Sequence, residues 1–154
     1  LNGMNSNISI WETRENSVDI LQELGNNKVL LVHNTFAKKE DLTEHYYCTC
    51  PKANLYIENA LPDYSIFDTD KLCVGTDSLA SNNSLSILEE LLVVQENSNF
   101  DMSILLKIAS KNGAEALGFE KLGSLEKGKV PGVNLIQHLE GMKIIEGSFV
   151  RVLA

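Results

Sequence analysis

The sequence predicts an α/β domain, and three observations carry that prediction. Two short apolar, β-prone runs, Lys28-Val29-Leu30-Leu31-Val32-His33-Asn34 and Lys71-Leu72-Cys73-Val74-Gly75-Thr76-Asp77, each break off into polar residues. Such runs read as strands buried on both faces, as in a parallel sheet. Helical signals follow the second run, with Ser86 and Glu89 spaced as a capping box and Asp101 placed as an N-cap. The length of 154 residues, 44% hydrophobic and 22% charged, allows one domain with a real core. A complete eight-stranded (β/α) barrel is excluded, because it takes about 250 residues.

Taken in order, residues 1–8 are Asn-rich loop. Glu15 to Leu24 sets Val18, Leu21 and Leu24 at helical spacing, and Gly25 supplies a stop. After the first strand, Lys38 to Glu44 reads as a short polar helix, and Tyr46 to Cys50 as a strand halted by Pro51. Residues 51–70 carry two prolines and little periodicity, so a long loop with at most a helical turn is expected. The helix after Ser86 runs to Glu96, with Leu88, Leu91, Leu92 and Gln95 as an inward face with a polar end. A second helix runs from Asp101 to Asn112, and a short third from Gly113 to Leu117. Gly123, Gly128, Pro131 and Gly132 then mark a turn region before Val133 to Ile136, and Lys143 to Leu153 alternates like strands. The character changes from α/β to β near Lys121, which places a boundary between residues 1–122 and 123–154.

Charge and cysteines narrow the class. Thirteen basic against 21 acidic residues give a net charge of −8. No basic cluster appears, so the chain is not expected to bind nucleic acid. The longest apolar runs fall far short of the ~20 residues that span a membrane, and no membrane partner is expected. Three sparse cysteines make no disulfide framework and suit a reducing, cytoplasmic setting. Cys48 and Cys50, with Cys73 the remaining thiol, are too few for a structural zinc site and read as small hydrophobes. The sequence lacks a G-x-S-x-G elbow, a P-loop and a dinucleotide fingerprint.

Two of the strands end in titratable groups, His33 and Asp77. Side chains at the carboxyl ends of parallel strands face a common site, because the loops there converge. A His and an Asp so placed can share a metal or a water, the His as base or orienting group and the Asp as ligand. Each residue also has a plain structural reading, as a satisfied strand-end His and as a turn-capping Asp. Ser81-Asn82-Asn83-Ser84 is either a helix-entry loop or a holder of a polar ligand. His45 and His138 lack partners at ligand spacing and read as surface residues.

Four segments, in order, resemble the metal-dependent amidohydrolase superfamily, in its branch of chlorohydrolases and cytosine, guanine and S-adenosylhomocysteine deaminases. Leu31-Val32-His33-Asn34-Thr35 with Lys39-Glu40-Asp41-Leu42 resembles barrel strand six and its trailing acidic helix. Cys50-Pro51-Lys52-Ala53-Asn54 resembles the turn after strand seven, and Val74-Gly75-Thr76-Asp77-Ser78-Leu79-Ala80-Ser81-Asn82 the strand-eight signature. Ala109 to Gly118 and Gly123-Ser124-Leu125-Glu126-Lys127-Gly128-Lys129 resemble the region that leads back into a small β domain. Ile10-Trp11-Glu12-Thr13 is only faintly similar to the strand-five pattern, with Trp11 where a His belongs, and residues 1–28 are read as the helix entering strand six.

The resemblance implies the carboxy-terminal portion of a (β/α)8 barrel, strands six to eight with their helices, plus a short β segment of the side domain. It implies one divalent metal, Zn²⁺ or Fe²⁺, that acidifies a water for attack on an amidine-like carbon of a small heterocycle, expelling ammonia or another group. Asp77 would ligate the metal and shuttle the proton, and His33 would orient the hydroxide or the substrate. Asn54 would support the site from behind, Ser81 and Asn82 would hold substrate, and Cys50 would be structural. The family's strand-one His-x-His pair and strand-five His have no counterpart in this sequence. The expectation is therefore a fragment, inactive and without tightly bound metal on its own, the alternative being a metal-free scaffold. Open sheet edges predict a homo-oligomer.

Overall fold

The computed structural model describes residues 28–154. The helix expected over Glu15 to Leu24 and the Ile10-Trp11-Glu12-Thr13 segment lie outside the described residues.

Three short strands, β1 (Leu30–Val32), β2 (Tyr46–Thr49) and β3 (Leu72–Val74), form a parallel sheet in that order. Cys48 is the hinge of the register, opposite Val32 on one side and Cys73 on the other. The central strand is buried as expected of a parallel sheet, but β1 is not, since Val32 keeps 49% of its surface exposed. Among the described residues β1 is an edge strand, so one flank of the apolar run has no neighbour. The ladder continues past the strand ends: the His33 N–H donates to the Cys48 carbonyl at 2.8 Å and the Gly75 N–H to that of Thr49 at 2.9 Å. These bonds fix where the two following loops begin.

The polar helix expected over Lys38 to Glu44 is a single 3-10 turn, Lys39–Asp41. The loop expected over residues 51–70 is instead α1 (Pro51–Glu58), followed by a 3-10 turn at Tyr64–Ile66. Pro51 occupies the first turn of α1, where its missing N–H costs nothing and its fixed φ favours the helix. Asn59 ends it in the left-handed region at φ 50°.

Helix α2 (Ile87–Glu96) starts as expected at Ser86, whose hydroxyl accepts from the Glu89 N–H at 3.3 Å. The box is only half formed, because the Glu89 side chain turns to the Ser84 hydroxyl and Lys52 instead. Asp101 caps α3 (Met102–Ala109) by accepting from the Ile104 N–H at 2.9 Å. The chain breaks at Ser110, before α4 (Lys111–Leu117), two residues ahead of the expected Asn112. Asn112 is buried inside α4 and donates to the carbonyls of Thr69 at 2.8 Å and Leu72 at 2.6 Å, which pins α4 to the start of β3.

The core lies between β3 and the helices, built from Tyr47, Tyr64, Leu72, Leu91, Leu105 and Ile108 with their neighbours. Beyond it, β4 (Asn134–Gln137) pairs antiparallel with β5 (Phe149–Val152). Ile144, between them, inserts into the main core. Its N–H and carbonyl are both bonded at 2.9 Å by the side-chain amide of Gln95 on α2. Gln95 is the polar end of the inward face, and it clasps the hairpin. Among the described residues no helix is long and apolar enough to cross a membrane.

Candidate functional site

The loops leaving β1 and β3 carry His33 and Asp77, and both residues sit in the left-handed region, at φ 72° and 58°. Asn34 follows His33 at φ 56°. Non-glycine residues in this region are uncommon, and such strain collects at functional sites. The turn brings the His33 Nε2 to 4.0 Å from Asp77 Oδ2, with side chains 36% and 32% exposed. The two groups flank β2 and reach toward each other across its end.

Asn54, buried in the first half of α1, holds the imidazole from behind. Its Oδ1 lies 2.7 Å from His33 Nδ1, and its Nδ2 donates to the His33 carbonyl at 3.4 Å. The second bond fixes which end of the amide faces the ring. Nδ1 therefore carries a proton, and in the neutral ring Nε2 presents its lone pair toward Asp77.

Asp77 Oδ2 accepts from the Ser81 hydroxyl at 2.5 Å. That bond, with the Ser78 N–H, holds the carboxyl below its ordinary range, so it is ionised at neutral pH. Ser81 and Asn82 are both buried. Asn82 donates to the Thr76 carbonyl at 2.8 Å and to Glu90 Oε1 at 2.6 Å, and accepts from the Ser84 N–H at 3.2 Å. These side chains shape the Asp77 loop from inside, which leaves the turn's surface to Leu79, Ala80 and Asn83. Leu79 to Asn83, with Lys52, Leu55 and Tyr56, line a depression of about 630 Å³.

Sequence reasoning missed Glu90. It is 0% exposed, and its Oε2 accepts from the Lys52 N–H at 2.9 Å while Oε1 accepts from Asn82. Burial pushes its carboxyl up, against the pull of those two bonds. The signal was present: Ile87, Glu90, Leu91 and Val94 follow the i, i+3, i+4, i+7 stripe of the inward face.

Cys48 and Cys50 flank the same strand end as free thiols. The hydrogen bond with Cys48 and then burial push the Cys50 thiol well up, and burial pushes Cys73 up to about 11. Thiols held protonated are poor nucleophiles. A Cβ at Gly75 would meet Cys48 Sγ at 3.1 Å, so glycine lets the β3 end pass close to them. His45 is half-buried and His138 exposed, and neither joins the site.

An ionised carboxylate and an imidazole with an outward lone pair are donor types that zinc and iron accept. Among the described residues no group of three or more His, Cys, Asp or Glu side chains converges as a metal site. Asp77 thus fits one position around a metal with the His33 ring beside it, and a closed shell needs further donors.

Residues 9–147 match the family model described as Amidohydrolase family. The aminodeoxyfutalosine deaminase of Nitratiruptor sp. is 29% identical over 135 residues, covering 80% of this chain and 33% of that protein. The 5-methylthioadenosine/S-adenosylhomocysteine deaminase of Shouchella clausii is 28% identical, covering 82% of this chain and 36% of that one. The crystal structure of an adenosine deaminase from Xanthomonas campestris with bound zinc superposes with a TM-score of 0.61 at 27% identity, covering 75% of this chain and 30% of that one. The chain spans about a third of the length of the curated relatives it matches.

Proposed function

The chain belongs to the amidohydrolase family, and from that premise we propose that it carries one side of a metal-dependent deaminase site. On this reading the parallel sheet is strands six to eight of a (β/α)8 barrel, and residues 123–154 return into a small β domain. The whole protein hydrolyses a carbon–nitrogen bond other than a peptide, releasing ammonia from a nucleoside-like heterocycle. The observation that carries the reading is the approach of His33 and Asp77 to 4.0 Å from two left-handed strand ends.

Asp77, with donors from outside the described residues, would hold a divalent ion, zinc or iron. Such an ion, when bound, acidifies water toward neutrality. Asp77 takes the proton of the attacking water at its carboxylate and passes it to the amine, which leaves as ammonia. The His33 Nε2 lone pair accepts a hydrogen bond from that water or from a ring N–H, and Asn54 keeps that lone pair outward. Leu79, Leu55 and Tyr56 give the adjoining depression an apolar wall for the part of the substrate away from the amine. Without the rest of the barrel, the edge that β1 leaves open among the described residues supports association of this chain into a homo-oligomer, which light scattering measures.

Ammonia release from adenosine and 5′-methylthioadenosine by the zinc-loaded whole protein tests the reading. Activity that falls by about 10²–10⁴-fold in Asp77→Asn supports it. A protein that binds no zinc and releases no ammonia is a scaffold, and the reading then fails.

A further inference from the structure

We infer that Glu90 is a positioning residue, a buried carboxylate that sets the His33 loop and the Asp77 loop relative to each other. It rests on the reading of His33 and Asp77 as one site, and it adds a member that touches neither.

Glu90 joins two loops through its two carboxylate oxygens. One carboxylate oxygen accepts from the Lys52 N–H in the first turn of α1, the helix whose Asn54 holds the His33 ring. The other accepts from Asn82, whose amide also holds the Thr76 carbonyl beside Asp77. A single rigid group on α2 therefore spans the two loops that face each other across the end of β2. Both partners are N–H donors with nothing to accept a proton, so the site is built for the carboxylate form and for no neutral isostere. The first turn of a helix also favours a negative charge at its free N–H groups.

Fold stability alone does not call for this arrangement. A fully buried carboxylate is a costly way to fill space, because taking its charge out of water costs more than two bonds from uncharged donors return. What an apolar residue cannot do is hold two donors from separate loops at fixed separation. A glutamine cannot either, since its –NH₂ must face one of the two N–H groups. Asn82 could turn its oxygen to meet it only by giving up the Thr76 carbonyl and the Ser84 N–H.

The experiment compares Glu90→Leu and Glu90→Gln with the parent in the zinc-loaded whole protein. Both variants are expected to fold and to melt below the parent, because each leaves a donor of Lys52 or Asn82 without its acceptor. In both, kcat should fall by about 10- to 100-fold with KM and zinc content little changed, the effect size of outer partners that orient a site. A second arm reads geometry without turnover: side-chain NMR signals of the His33 ring and the Asn54 amide, which Glu90 does not touch, should shift in both variants. Glu90→Gln combined with Asn82→Asp restores a donor–acceptor pair, and should recover part of the loss seen in Asn82→Asp alone. Unchanged kcat and unchanged His33 and Asn54 signals in folded Glu90→Leu overturn the inference. So does a loss of kcat that only tracks a loss of folded protein. If the parent releases no ammonia, the functional reading has failed, and the NMR arm decides the role of Glu90 by itself.

Discussion

At the scale of single residues, the site depends on which atom of each side chain is left facing outward. Asn54 settles this for His33, since its carbonyl oxygen accepts a hydrogen bond from Nδ1–H and leaves Nε2 as the acceptor. Asn54→Ala should release the ring into both tautomers. Nitrogen-15 spectra of the imidazole would show the mixture, and activity should fall by about 10- to 100-fold. Gly75 acts through space rather than charge. The methyl group of Gly75→Ala would press on Cys48 Sγ, 3.1 Å away, and crowding of this kind costs about 1–3 kcal/mol. Urea unfolding measures that loss. A midpoint unchanged from the parent would mean that the strand end yields freely.

At the scale of elements, two capping residues and a clasp do most of the placing. Gln95 exchanges two bonds with the backbone of Ile144, so Gln95→Ala strands a buried N–H and a carbonyl. The expected loss is about 1–3 kcal/mol, with hydrogen exchange rising first in the β4–β5 hairpin. These elements also divide what the sequence made legible from what it did not. Ser86 and Asp101 were readable because a cap is a local event, one side chain against an N–H two or three residues on. β1 and β3 were readable because their apolar runs stop abruptly at His33 and Asp77. Helix α1 was not, since Leu55, Tyr56 and Ile57 point outward and leave no apolar stripe, and Pro51 serves as a starter where it read as a stop. Edge exposure of β1 was equally hidden, because burial depends on neighbours that a local run does not name. His33 and Asp77 could be picked out one by one, whereas their approach and the tie through Glu90 arise only when distant loops fold together.

For the whole molecule, opposing carboxylates set the response to acid. Asp77 is held low by Ser81, and Glu89 by Lys52 with help from Ser84. Asp63 and Asp70 are likewise held low, by Ser65 and by Lys107. A depressed folded pKa contributes stability that is present above about pH 4 and lost as pH falls through the lowered value. Glu90 works the other way. Its raised folded pKa means that stability declines as pH climbs from its ordinary unfolded value through the raised one. Thermal melts across pH should therefore decline modestly below about pH 4 in the parent, since these carboxylates are largely exposed and screened. Glu90→Leu should keep that acid limb and lose the decline on its neutral side. A Glu90→Leu profile parallel to the parent at every pH would contradict this sign. The left-handed backbone at His33 and Asp77 bears on ancestry as well. Glycine fits such a conformation without the roughly 1 kcal/mol or more that a side chain costs. A lineage released from selection on its chemistry would gain by drifting to glycine at both strand ends. Descendants that had become mere scaffolds would carry that mark, and a lineage still under selection for turnover would keep an imidazole and a carboxylate there against the grain of their own backbone.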